Sequence, residues 1–195
     1  MSVDPTRLLV LGATRQEQLA TGYAIMRELT SWGVQDWASV NPGSIYGALR
    51  ALVKDGLVVE DTSPVAKIGK SHKNSTKYRL TIEGESAFAE LLRSALWEVS
   101  SYNAAPFMAA LCFLVALTRD EVTAAVEERT TRLESNLRQL EFDEKQVRTE
   151  ASTKPPHSVE FMKLAADRLR GELTFTHGLL ERVRTGSYRF ADDTG

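Results

Sequence analysis

Apolar residues change their spacing twice along this chain. Up to residue 54 they recur at helical intervals in short blocks: Leu8, Leu9 and Leu11, then Tyr23, Ile25, Met26 and Leu29, then Ile45, Leu49, Leu52 and Val53. Each block is punctuated. A helix begins over Thr6 to Leu11; Thr21 is placed to cap a second helix, which Gly33 stops just after Trp32. Asn41 as N-cap and Pro42 at the first helical position open the third, and Asp55-Gly56 closes it. Leu57 to Asp61 is then a β-branched run. Thr76 to Ile82 alternates, with Tyr78, Leu80 and Ile82 on one face and Lys77, Arg79 and Thr81 on the other. The two runs form a hairpin whose long polar tip is Thr62 to Ser75.

Three helices followed by a hairpin are the element order of a winged helix-turn-helix. Beyond it the pattern becomes helical throughout. One helix covers roughly Ile82 to Ser101, and Pro106 to Leu117 is apolar all round, as a helix buried on most sides would be. Thr118 and Glu121 form a capping box for a helix reaching about Ala151, with Val122, Val126, Leu133, Leu137, Leu140 and Val147 on its apolar side. At ~1.5 Å per residue it would be on the order of 50 Å long. Ser152 to Pro156 breaks it. The last helix, Ser158 to Arg184, carries Met162, Ala166, Leu169, Leu173, Thr176, Leu180 and Val183 in four-three steps. Two such stripes and a fully apolar third helix offer more hydrophobic surface than they can cover alone, so a dimer is expected. The expected fold class is mainly α: a winged helix-turn-helix domain over residues 1–90, followed by an all-α antiparallel-helix dimerisation and effector domain over 91–195.

Composition narrows this picture. With 43% hydrophobic residues and a net charge of −2 in 195 residues, the chain has material for real cores. Its single cysteine, Cys112, allows no internal disulfide and reads as a small buried residue, so a cytoplasmic setting is expected. The uncharged run Ala104 to Leu117 has 14 residues, short of the ~20 that span a bilayer. Leu8 to Ala13 lacks the flanks of a signal peptide, so no membrane role is expected. There is no Gly-rich phosphate loop, His-Glu-x-x-His, cysteine pair or nucleophile elbow, and His72, His157 and His177 lie in separate segments. No enzyme activity, cofactor or metal is expected.

The near-zero charge argues against nucleic acid only if it is evenly spread. Residues 1–90 hold 10 basic and 10 acidic side chains, and residues 91–195 hold 14 and 16. Locally the balance fails: Pro64 to Ile82 contains Lys67, Lys70, Lys73, Lys77, Arg79 and His72 with no carboxylate, and Asn41 to Lys54 is also free of acid. Turning Ile45, Ala48, Leu49 and Leu52 of the third helix inward leaves Gly43, Tyr46, Gly47, Arg50 and Lys54 outward, with Ser44 at the edge. Arg50 would read a guanine edge or clamp a phosphate, the hydroxyls of Ser44 and Tyr46 would bond phosphates, and the glycines would let a backbone approach closely. Tyr46 reads equally well as a packing aromatic, and Lys54 as a favourable charge at a helix C-terminus. A lysine run alone is more often a solvated loop, but at a wing tip it faces phosphates or the minor groove.

The stretches Thr21-Gly22-Tyr23, Asn41-Pro42-Gly43-Ser44-Ile45-Tyr46-Gly47-Ala48-Leu49, Gly56-Leu57-Val58 and Lys77-Tyr78-Arg79-Leu80-Thr81 with Gly84 resemble the PadR family of bacterial transcriptional regulators over about residues 7 to 90. Residues 91 to 185 resemble the longer helical C-terminal domain of one subgroup, related to that of virulence-gene activators. The resemblance implies a homodimer on an inverted-repeat operator in double-stranded DNA, often repressing a neighbouring gene and released by a small ligand. It assigns Ser44, Tyr46 and Arg50 to the recognition helix, Tyr23 and Asn41 to backbone positioning, and Lys67, Lys70, Lys73 and Lys77 to the wing. Ala51 stands where many relatives carry another basic residue, and the wing is long with spread lysines, so no base preference carries over. Trp97, Tyr102, Phe107, Met108 and Phe113 crowd the start of the helical part, where they read first as core or dimer packing and second as the lining of an effector pocket. Trp32 and Trp37 bracket the loop before the third helix and would also line a cavity. The competing reading is a winged-helix adaptor that binds a partner protein through its long helices and has no specific DNA binding.

Overall fold

The computed structural model describes residues 3–61, 76–149 and 154–193. They divide into two units, Met1–Leu92 and Arg93–Gly195. Among the described residues no helix is long and apolar enough to cross a membrane.

In the first unit α1 (Pro5–Gln16) is capped by Asp4, whose carboxylate accepts from Thr6 N at 2.9 Å. Leu8, Leu9, Val10 and Leu11 are all fully buried, because α1 packs on α2 (Gly22–Ser31), α4 (Pro42–Lys54) and the sheet. Each such side chain contributes about 1.5–3 kcal/mol on leaving water. The expected start near Thr6 therefore extends to Pro5, and the helix is longer than its apolar block. A short helix absent from the sequence reading, α3 (Val34–Trp37), sits between α2 and α4. Gly33, at φ +68°, turns the chain into it, and Trp37 Nε1 donates to Trp32 O at 3.0 Å while Trp32 Nε1 donates to Glu28 at 3.2 Å. Both indoles are thus half-buried and hydrogen-bonded.

The sheet has three antiparallel strands in the order β1 (Ala20–Thr21), β3 (Lys77–Leu80), β2 (Val58–Asp61). The hairpin is as expected, with Glu60 opposite Tyr78 and Asp61 opposite Lys77. The two-residue β1, pairing Ala20 with Tyr78, is too short for any period to reveal. The alternation of Thr76 to Ile82 overreaches. Ile82 starts α5 (Ile82–Trp97) and is exposed, because Thr81 ends the strand as that helix's N-cap. Thr81 Oγ1 accepts from Gly84 N at 2.9 Å and donates to Gly56 O at 2.8 Å, and Thr81 N donates to Leu57 O at 3.0 Å. A Cβ on Gly84 would stand 2.0 Å from Leu57 O, so only glycine lets the first turn of α5 close on that backbone.

In the second unit the expected single helix over Pro106 to Leu117 is two pieces, α6 (Ala105–Leu111) and a 3-10 turn at Leu114–Ala116. Nor is it buried on every side: Met108 and Val115 are exposed, and so is Cys112, which was expected to be a small buried residue. The capping box holds as read, with Glu121 N and Thr118 Oγ1 at 3.2 Å and Thr118 N donating to the Glu121 carboxylate at 2.9 Å, and it starts α7 (Arg119–Val147). α7 packs along α8 (Ser158–Arg184) through Leu133, Leu140, Ala165 and Leu169, with Val99 and Leu173 beside them. The α8 stripe is therefore used within the chain, with Ala166, Leu169, Thr176 and Val183 buried and Met162, Leu173 and Leu180 half-buried. One charge lies inside this unit. Arg129, 1% exposed, bonds the Glu172 carboxylate and the carbonyls of Leu96 and Glu98, and its guanidinium lies 3.6 Å from the Phe107 ring centroid. Burial lowers its pKa and Glu172 opposes that shift.

Candidate nucleic-acid interface

The site is built on α4 and on the strands and helix that hold it. Asn41 and Ser44 lock its first turn reciprocally. Asn41 Oδ1 accepts from Ser44 N at 2.9 Å, and Ser44 Oγ accepts from Asn41 N at 2.9 Å and donates to Asn41 O at 2.7 Å. With Pro42 carrying no N–H, Gly43 N is the amide of this turn left without a partner among the described residues. The side chains of Asn41 and Ser44 are thus engaged in shaping the turn.

Ile45, Leu49 and Leu52 are buried against α1 and α2, and Ala48 is half-buried, as the face assignment requires. Tyr46 is half-buried across Gly22: a Cβ there would meet Tyr46 Cε1 at 3.0 Å and Leu49 Cδ2 at 3.5 Å. This is the physical content of the Thr21-Gly22-Tyr23 stretch. Thr21 caps α2, accepting from Ala24 N at 3.1 Å, Gly22 admits the Tyr46 ring, and Tyr23 is left 62% exposed. Arg50 and Lys54 are exposed, and Gly47 has nothing within 4 Å of its would-be Cβ.

Lys77 is half-buried on β3 beside Tyr78. Burial raises the pKa of Tyr78, Glu60 and then Tyr46 add to the rise, and the Arg50 cation opposes it. Tyr46, Arg50, Glu60 and Tyr78 are thereby brought together at one edge of α4. The ion pairs of this unit are Arg7–Asp55 and Arg15–Glu85, so Arg27, Arg50, Lys54 and Lys77 form none among the described residues. Two members went unread in the sequence. Arg27 shares the exposed side of α2 with Tyr23 at a four-residue step, a signal present in the sequence, whereas Glu60 emerges only from the strand register. Lys67, Lys70 and Lys73 lie outside the described residues.

The aromatic residues of the second unit do not converge on one cavity. Phe107 and Phe113 are buried, Phe107 meeting Phe175 edge to face at 6.1 Å. Trp97 is half-buried under the Arg132 guanidinium at 4.0 Å, and the exposed Tyr102 stacks on Phe161 at 5.0 Å. A cavity of about 400 Å³ lies elsewhere in this unit, between Leu111, Val115, Phe175, Leu179, Arg182 and Tyr188.

A helix-turn-helix whose last helix presents unpaired cations, backed by a three-stranded antiparallel sheet, defines the winged-helix class of DNA-binding domains. Residues 10–90, within the first unit, match the model of the transcriptional regulator PadR-like family. Among solved structures the chain is similar to Bacillus subtilis PadR in complex with operator DNA, at 19% identity over 91% of this chain and 98% of that one, with a TM-score of 0.36. It is also similar to B. subtilis PadR in complex with p-coumaric acid, at 17% identity over 92% and 99% with a TM-score of 0.37. A third similar structure is smu.1604c from Streptococcus mutans UA159, at 20% identity over 90% and 98% with a TM-score of 0.38. A comparison with curated proteins found no match.

Proposed function

We propose that this protein is a homodimeric transcriptional repressor in the cytoplasm, released by a small molecule, that binds an inverted-repeat operator. Residues 1–90 bind the DNA and residues 91–195 dimerise and receive the effector. The observation that carries the reading is the outer face of α4, where Gly43, Gly47, Arg50 and Lys54 offer open backbone and two cations, with no carboxylate anywhere from Asn41 to Lys54. Such a face suits the major groove, where an arginine pairs bidentately with a guanine edge. Arg50 and Tyr46 then contact DNA directly, while Asn41 and Ser44 act by fixing the first turn. Tyr23 and Arg27 on α2 meet the backbone, and Lys67, Lys70, Lys73 and Lys77 meet flanking phosphates from the wing. Of the four aromatic residues assigned to the effector, Tyr102 is exposed and Trp97 half-buried, and these two are the ones open to a ligand, whereas Phe107 and Phe113 are buried.

The test is a mobility-shift titration on the fragment upstream of the protein's own gene against a scrambled fragment. Binding to the first is expected to be tighter and to fall steeply with salt. Replacing Lys70 and Lys73 by Ala should weaken both fragments alike, whereas Arg50→Ala should also narrow the difference between them. Equal affinity of all variants for both fragments overturns the reading.

A further inference from the structure

The cavity of about 400 Å³ in the second unit is large enough for a small organic molecule. Its wall divides into two parts. Leu111, Leu114, Val115 and Leu179 supply an aliphatic surface, with the Phe175 ring beside it. Arg182 and Tyr188 supply a single polar patch, because Arg182 Nε donates to the Tyr188 hydroxyl at 3.1 Å. Both are held in place. A Cβ on Gly178 would meet Arg182 Nη1 at 3.1 Å, so the bare backbone there is what lets the guanidinium lie along α8, 5.7 Å from the Phe175 ring centroid. The tail that carries Tyr188 is tied down by Arg119, which donates to Tyr188 O at 3.2 Å, and by Ala191 N, which donates to Leu117 O at 3.2 Å.

The cation in this wall is uncommitted. Arg119 and Arg184 are paired with Asp193 and Glu127, whereas Arg182 forms no ion pair among the described residues. With Nε engaged, its terminal nitrogens are left for an anion, and the Tyr188 hydroxyl, accepting from Arg182, still has its own proton to donate. We propose that this cavity binds a free monocarboxylate with an aliphatic tail. Arg182 and Tyr188 hold the carboxylate, and Leu111, Leu114, Val115 and Leu179 hold the tail. One cation in the wall calls for one anionic group on the ligand. Apart from the Cys112 thiol the rest of the wall has no side chain that hydrogen-bonds, so a polar substituent on the tail would go unpaired. The site includes neither Trp97 nor Tyr102, and it stands whether or not the protein binds DNA.

Cys112 reports occupancy directly, since it is the only cysteine of the chain, is exposed and lies in the cavity wall. The experiment follows its alkylation by N-ethylmaleimide, an uncharged reagent, in the full chain, alongside calorimetric titration with decanoate. Decanoate should slow alkylation, with half-protection at the calorimetric dissociation constant. Octanoate and hexanoate should bind more weakly, by about tenfold for each two carbons removed. Decanol, which lacks the charge, should bind at least about tenfold more weakly than decanoate. Arg182→Gln should lose that preference for acid over alcohol, with helix content unchanged by circular dichroism. Val115→Trp, at an exposed lining position, should block both ligands. Absence of protection, equal affinity for decanoate and decanol, a preference that survives Arg182→Gln, or calorimetric binding that leaves Cys112 reactive overturns the proposal. So does alkylation that accelerates on dilution without ligand, because a second copy of the chain then fills the cavity. Failure to bind operator while decanoate still protects Cys112 overturns the DNA-binding reading alone.

Discussion

The two units have similar charge inventories and spend them differently. In the first, the ion pairs Arg7–Asp55 and Arg15–Glu85 leave Arg27, Arg50, Lys54 and Lys77 without an ion pair among the described residues. In the second, Arg93 pairs with Glu121, Arg119 with Asp193, Arg129 with Glu172, Arg170 with Glu141 and Asp167, and Arg184 with Glu127. Five of its cations thus tie helices and the C-terminal tail together, and Arg132, Arg138, Arg148 and Lys163 pair within their own helices. A cation that already has a carboxylate has little left for a phosphate, so the allocation of charge separates the two units where its total does not.

The sharpest way to break that contrast is to remove the one buried pair. Arg129→Ala leaves Glu172 without its partner and strips the Phe107 ring and two carbonyls of their donor, so urea unfolding should show a loss of about 4 kcal/mol. Arg170→Ala, at an exposed pair, should cost less than about 1 kcal/mol. In the first unit stability rests on backbone fit, and Gly84→Ala, which drives a methyl into Leu57 O, should cost about 3 kcal/mol by the same measurement. Arg50→Ala probes the unpaired cations: operator affinity should fall by about 2 kcal/mol, read by mobility shift, with no change in melting temperature. Asn41→Ala removes the reciprocal cap and should cost about 1 kcal/mol of stability together with some DNA affinity. The smallest effect concerns pH. Glu121 is held below the usual carboxylate range by the Thr118 amide, then by the Thr118 hydroxyl and Arg93. Its contribution is therefore complete above about pH 4.3, the unperturbed glutamate value, and is lost as pH falls through the depressed folded value. Thermal melts of Glu121→Gln and wild type should converge on acidification.

Much of this was legible in the sequence because the cues are local. Asn41-Pro42, Thr21, Asp55-Gly56 and Thr118 with Glu121 each act within four residues, and the helices they bound fall where they are read. What was missed depends on distant partners. Strand β1 exists only because β3 passes beside Ala20 and Thr21. Ile82 fits the alternation of β3, yet Thr81 is captured as a helix cap and sends it into α5. The α8 stripe is visible in the sequence, but whether it faces α7 or another molecule is a question of packing, and periodicity cannot answer it. Arg129 lies among polar neighbours in α7 and gives no sequence signal of burial. In the candidate site, the outward face of α4 was readable, while the engagement of Asn41 and Ser44 with each other was only half so: the cap was evident and its reciprocity was not.

That reciprocal cap bears on how such a regulator can diverge. Positions 41, 42 and 44 are tied up in starting the helix, and position 46 is tied to Gly22. Mutational freedom on α4 is confined to positions 47, 50, 51 and 54, which protrude without structural duty. New operator preferences can accumulate there while the scaffold stays constant, so sister proteins on this fold should vary at those four places and agree at the cap.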